Sequence, residues 1–226
     1  KIRIFKYFNT FVENLVFKIN DEIKNFSNKK STISNFNKVI IIFISSIFIY
    51  MFYLLVPTLY NKVWVQNTLE SKLIKNFKIN FSTSSDITYL ILPTPHFLIK
   101  DAKIFIKDDT GKKTLSEIKK LRVFINRNNF FDKEKMSIKK ILIDEANFLI
   151  QGKDLNFLNE ASNKKFSNKK IEIKNINIFF KNSTSDIIFI IKIPSANLFY
   201  DESKLLNLFN LKGRVFKTPF IFSLEK

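Results

Sequence analysis

The residues of this chain that could do chemistry are few and isolated. The single histidine, His96 in "PTPHFLI", has Lys100 as its nearest charged neighbour in sequence. General acid–base work needs an imidazole that a second group orients and tunes, so His96 reads as a packing or surface residue ahead of a strand. Asp108–Asp109 and Asp144–Glu145 are adjacent carboxylates in a turn signal and at a strand end, where a solvated surface is the default. The chain has no cysteine, hence no thiolate nucleophile, thiolate metal site or disulfide. No nucleophile elbow, phosphate-binding glycine loop or dinucleotide fingerprint is present. We expect no enzyme, no catalytic residue, no metal and no cofactor.

The remaining chemical signal is charge. Lys and Arg number 38 against 20 Asp and Glu, a formal net charge of +18. The pairs Lys112–Lys113, Lys119–Lys120, Lys139–Lys140, Lys164–Lys165 and Lys169–Lys170 could contact phosphates. They are dispersed along the chain, however, and lack Arg-rich or stacking-aromatic motifs. They read as solvated outer faces of strands that also attract anionic head groups, and no nucleic-acid partner is expected. With 27 Phe and only 3 Gly, the composition suggests A/T-rich codons, which supply part of the lysine excess.

The strongest element is apolar. Val39 to Val56 is almost unbroken Ile, Phe, Leu, Val, Tyr and Met, and no charge lies between Lys38 and Lys62. About 18 residues of helix span roughly 27 Å, enough for a bilayer core. No small-x-small cleavage pattern follows, so a retained single-pass anchor is expected rather than a signal peptide. Lys1, Arg3, Lys6, Lys18, Lys24, Lys29, Lys30 and Lys38 precede it and lean the N-terminus towards the cytoplasm. In the leader, Ile4, Phe5, Phe8, Phe11, Val12, Leu15, Val16, Ile19, Ile23 and Phe26 form one stripe of an amphipathic helix. After Pro57, Leu59, Val63, Leu69, Leu73 and Phe77 resume a helical rhythm, with Tyr60 and Trp64 one turn apart where aromatic rings favour the membrane interface.

Beyond Phe77 the period changes to two. Ile79, Phe81; Ile87, Tyr89, Ile91; Phe97, Ile99; Ile104, Ile106; Leu121, Val123, Ile125; Ile171, Ile173; and Ile176, Ile178, Phe180 all alternate. "DDTG" and "QGKD" supply turn chemistry, and "DESKLLNLFNL" is the best short helix pattern after Phe77. Around nine or ten short strands thus each offer an apolar face, with no helices to lay over them. The sheet can close on itself as a sandwich, or its apolar face can line a groove filled by something else.

Several stretches from Val39 to Lys226 carry a family likeness. A span runs into a helix ending in "LESKLIKNF". Then comes "INFSTSSDITYLILPTPHFLIKDAKIFI", with Pro95 before "FLIKDAKI". "LRVFINRNNFFDKEKMSIKKILIDEANFLI" follows, then "IEIKNINIFFKN" and "LKGRVFKTPFIFSLE", with Gly213 and Pro219 at fitting points. This order resembles the N-terminal region of the AsmA family of bacterial envelope proteins. Two departures stand out: no glycine occurs around Asn76–Asn80, and Asp132 replaces a small or apolar residue.

That family is related to bridge-like lipid-transfer proteins. The resemblance therefore implies a mainly β fold: a transmembrane helix, a membrane-proximal helix, and a bent antiparallel β-sheet forming an apolar groove. A closed β-sandwich is the alternative. It implies residues 1–37 as a cytoplasmic leader, 38–57 as the span, 58–77 as the membrane-proximal helix, and 78–226 as a periplasmic β-domain incomplete at its C-terminus. Groove-lining residues would be Ile87, Tyr89, Ile91, Phe97, Ile99, Leu121, Val123, Ile125, Ile171, Ile173, Ile176, Ile178 and Phe180. Tyr60 and Trp64 would sit at the membrane interface. The implied partners are phospholipids, the inner membrane and envelope proteins, in phospholipid traffic to the outer membrane. An anchored scaffold or assembly factor for outer-membrane proteins, its β-domain a closed sandwich, is the competing function.

Overall fold

The computed structural model describes residues 13, 14, 16–18, 35–83, 86–108, 111–128, 130–152, 154, 155 and 163–226. The amphipathic leader therefore lies outside the described residues, apart from the helical 13, 14 and 16–18. The chain divides into two compact units, Lys1–Tyr50 and Met51–Lys226.

Helix α1 (Asn35–Leu55) carries the apolar run. With its continuation to Leu59 it is long and apolar enough to cross a membrane, at a hydropathy of 2.7. Within it Ser46 donates to the Ile42 carbonyl at 2.8 Å. A 3-10 turn (Val56–Leu59) with Pro57 near its start ends the run. Asn61 then caps helix α2 (Lys62–Phe77), its Oδ1 accepting from the Val63 and Trp64 amides at 2.9 and 3.1 Å. The membrane-proximal helix thus starts four residues later than expected from the rhythm. Leu59 and Val63 are exposed, and the buried stripe is Val65, Leu69, Leu73 and Phe77. Lys78 (φ 55°) ends α2 in the left-handed conformation, where glycine is usual.

The rest is one open sheet, and strand makes up 50% of the described residues. Its strands are β1 (Asn80–Ser82), β2 (Ile87–Leu90), β3 (His96–Asp108), β4 (Gly111–Ile125), β5 (Ile138–Gln151), β6 (Lys170–Lys181), β7 (Ile187–Asp201), β8 (Leu206–Val215) and β9 (Thr218–Glu225). The order follows the chain, with β1 and β2 sharing one edge of β3. The two ends of the sheet do not pair with each other, so among the described strands it is an open sheet rather than a closed one.

Three expectations need correction. The sheet is not wholly antiparallel: β5 and β6 run parallel. A parallel pair needs a crossover of a dozen or more residues, and the segment between Gln151 and Lys170 is long enough for one, so the chain does not close a hairpin after β5. The strands are also longer than the runs suggested. Phe97 and Ile99 share β3 with Ile104 and Ile106, and Ile171 to Phe180 is one strand. "DESKLLNLFNL" is not a helix but a turn followed by β8. Asp201 Oδ1 accepts from the Ser203 amide at 2.9 Å and its hydroxyl at 2.6 Å, an Asx turn that outcompetes a helical start.

A transverse crease explains why single strands looked like two. Asp101 (φ 53°), Glu145 (φ 55°) and Asn175 (φ 52°) are left-handed within β3, β5 and β6. Each falls at a gap in its ladder pairing, and Lys119 of β4 and Pro194 of β7 occupy the matching gaps. Because a strand turns alternate side chains to opposite faces, one left-handed residue slips the phase by one. The inward set therefore jumps from Ile99 to Ala102, Leu121 to Ile118, Ile143 to Ala146, Ile173 to Ile176 and Ala196 to Ile193. The line ends at β8, where the register shifts and Gly213 stands so close to the Phe220 ring that a Cβ would lie 2.4 Å from it. Asp144–Glu145 is thus in the middle of a strand, not at its end.

Candidate apolar binding face

Register places the alternating residues in rows across one face. The first row is Ile87, Ile99, Leu121, Ile143, Ile173, Ala196, Leu211 and Phe222; the second is Tyr89, Phe97, Val123, Ile141, Ile171, Leu198, Phe209 and Leu224. Past the crease runs a further row: Phe81, Ile104, Ser116, Phe148, Ile178, Ile191 and Val215. Ile150, Phe180 and Phe189 continue it outward, with the two Phe rings stacked 4.9 Å apart.

All thirteen candidate lining residues share this face. Ile87, Phe97, Ile99, Leu121, Val123, Ile125, Ile171 and Ile176 are buried, while Tyr89, Ile91, Ile173, Ile178 and Phe180 are half-buried against the same core. Ile91 follows β2 in the loop rather than standing in a strand. The residues missed include Phe209, Leu211 and Phe222 of β8 and β9 and, more tellingly, those of β5 and β7, notably Ile141, Ile143, Phe148, Ile191 and Ile193. Their runs, "ILIDEANFLI" and "IIFIIKIPSANLF", break period two at the crease.

Cover is uneven. Val65, Leu69, Leu73 and Phe77 of α2 pack into the core beside Phe81 and Ile99. Gln66 Nε2 donates to the Thr83 carbonyl at 3.0 Å, and Glu70 accepts from the Thr83 amide at 2.6 Å, tying α2 to the chain just past β1. Exposure along the first row then rises away from the helix, from 0% at Leu121 and 2% at Ile143 to 46% at Phe222. Ile171, Ile176, Ile193 and Ala196 of β6 and β7 are still buried, and it is on β8 and β9 that Phe209, Leu211 and Phe222 stand partly in water. Apolar area left in water forgoes about 25 cal/mol per Å², so this end of the face is a surface that gains by being covered.

At the opposite edge the face meets the chain leaving α1. Pro57, Thr58, Tyr60, Lys62, Val65, Ile87, Thr88, Tyr89 and Phe97 line a cavity of about 260 Å³. The Tyr89 hydroxyl donates to the Leu54 carbonyl at 2.9 Å. Burial, followed by the neighbouring Tyr60 and Tyr53, holds the Tyr89 phenol well above its ordinary pKa. Tyr60 and Trp64 pack edge to face at 5.4 Å, both half-buried. His96 is 2% exposed, tilted against Phe124 at 5.0 Å with Nδ1 2.7 Å from the Thr94 carbonyl, which is a packing role.

The other face carries polar pairs on β4, β5 and β6. Arg122 pairs with Asp144 at 3.3 Å and Lys140 with Glu172 at 3.0 Å, and Asn177 donates to Asn147 at 3.1 Å. One lysine of each sequence pair is engaged inside the protein. Lys113 binds Asp154 at 2.7 Å, Lys120 binds Glu145, and Lys140 and Lys170 bind Glu172. Lys165 lies 3.8 Å over the Tyr200 ring. Comparison with protein-family models finds no match to this chain, and neither does comparison with curated proteins.

Proposed function

We propose that this is a membrane-anchored, AsmA-like envelope protein whose sheet carries phospholipid acyl chains along its apolar face, periplasmic after the span. One observation carries the reading. Two apolar rows run from the core beside α2 across β6 and β7 onto β8 and β9, where exposure rises to 46% at Phe222 among the described residues. An acyl chain laid there is sheltered at about 0.8 kcal/mol per buried methylene while its head group stays in water. Such transport needs no catalytic group.

The test is site-specific crosslinking in the intact protein. A photoreactive amino acid at Ile178 should yield a lipid-sized adduct, and the same group at Asn177, which faces the other way, should not. The scaffold reading has one observation in its favour: β9 offers an unpaired edge among the described strands, suited to strand addition by a protein. A protein-sized adduct at Ile178 without lipid would favour it.

A further inference from the structure

The connection between β4 and β5 is built in a way that lipid carriage along the sheet does not explain. Phe131, at its tip, is 79% exposed, yet its ring lies only 5.4 Å from that of Tyr53 in the last turn of α1. Tyr53 is three residues short of Val56, where the apolar run ends, or about 4.5 Å along a helix axis. If α1 crosses a bilayer, Phe131 is therefore level with the boundary between hydrocarbon and head groups.

A loop at that depth must satisfy its backbone polar groups without water, because each one left unpaired among lipid costs several kcal/mol. Tyrosine hydroxyls satisfy three of this loop's backbone groups. Tyr53 donates to the Arg127 carbonyl and accepts from the Phe130 amide at 3.3 Å, and Tyr60 donates to the Phe130 carbonyl. Phe130 is buried and stacked on Tyr53 at 5.2 Å, which leaves Phe131 pointing outward. Lys133 lies 5.4 Å over the Trp64 ring, a cation held at the level of an interfacial aromatic, while Lys135 neutralises Asp132 at 3.0 Å.

We infer that the β4–β5 loop is a second membrane contact, inserting Phe131 into the lipid interface beside the span. Two contacts on one bilayer surface fix the orientation of the sheet, which a single helix cannot do. The inference rests on the reading of α1 as a span, and the experiment separates the two.

The chain has no cysteine, so single cysteines can carry an environment-sensitive fluorophore in the full protein, reconstituted in nanodiscs of mixed phosphatidylethanolamine and phosphatidylglycerol. A label on Phe131→Cys should be quenched by nitroxide placed near the lipid head group and protected from aqueous iodide. A label on Ser183→Cys, in the β6–β7 turn at the other end of the sheet, should behave the opposite way. A label on Ile49→Cys reports the span through deep nitroxide. If Ile49→Cys is quenched while Phe131→Cys is open to iodide, the second contact is refuted and the span stands. Protection of Phe131→Cys from both quenchers refutes it in favour of a protein cover. Loss of quenching at Ile49→Cys removes the span and the loop contact together.

Discussion

Glu145 of β5 and Asn175 of β6 occupy the same level of neighbouring parallel strands, and both are left-handed, at φ 55° and 52°. The conformation costs an L-residue about 1–2 kcal/mol, yet it recurs here in a line with Asp101. What offsets the cost is burial on both sides of the line. Without the slip, Ala146, Ile150, Ile176 and Phe180 would turn to the opposite face, and a fully buried aliphatic side chain is worth about 1.5–3 kcal/mol. The outer surface also ties the crease down: Asn175 Nδ2 donates to Asp144 at 3.1 Å, and Lys120 pairs with Glu145.

The crease can be tested at Asn175. Asn175→Val should destabilise the protein by about 1–3 kcal/mol, because a β-branched residue resists the left-handed region. Asn175→Gly, which accepts that conformation freely, should stay within about 1 kcal/mol of the parent. Chemical unfolding of both variants decides the matter. Equal losses would assign the effect to the Asp144 hydrogen bond instead.

Fully buried and half-buried parts of the apolar face should respond differently to charge. Leu121 is fully buried, so Leu121→Asp should abolish a cooperative melt, an isolated buried carboxylate costing several kcal/mol. Ile178 is half-buried on β6, and Ile178→Asp should leave a folded protein that no longer crosslinks to lipid. Thermal unfolding by circular dichroism, run beside crosslinking, reads both. Collapse of both variants alike would mean that the β6–β9 face is ordinary core.

Acid should weaken the link between β5 and β6. Burial of Glu172 opposes its charge, but the Lys140 and Lys170 ammonium groups outweigh this and hold its pKa below the ordinary 4.5. A carboxylate whose folded pKa is depressed stabilises the fold above the unfolded value. That contribution fades as the pH falls through 4.5 towards the lowered folded pKa. Unfolding free energy followed from neutral pH down to that range should therefore drop less steeply in Glu172→Gln than in the parent; parallel curves would count against the pair.

The proposed orientation has its own readout. A reporter active only in the periplasm should work when fused after Lys226 and be silent when fused after residue 30. The reverse pattern would place the sheet in the cytoplasm and end the envelope reading.

The sequence by itself determined the helix that can span a membrane, because 18 uncharged and almost wholly apolar residues leave no polar edge for a soluble packing site. It also determined which side chains share a face, since alternation is a local property of a strand. Leu121, Val123 and Ile171, Ile173 needed only their spacing to be grouped. What joins Ile173 to Ile176 is not local. A slip of one residue is neutral along a single strand, and it becomes intelligible only when Asp101, Glu145 and Asn175 align across the sheet. The parallel β5–β6 pairing was equally invisible, because "QGKD" encodes a change of direction but not the partner that the returning strand will meet. Cover, too, was decided in three dimensions. Alternation marks an apolar face without saying what lies on it, and only the placement of α2 beside β1 leaves Leu121 sealed and Phe222 half in water.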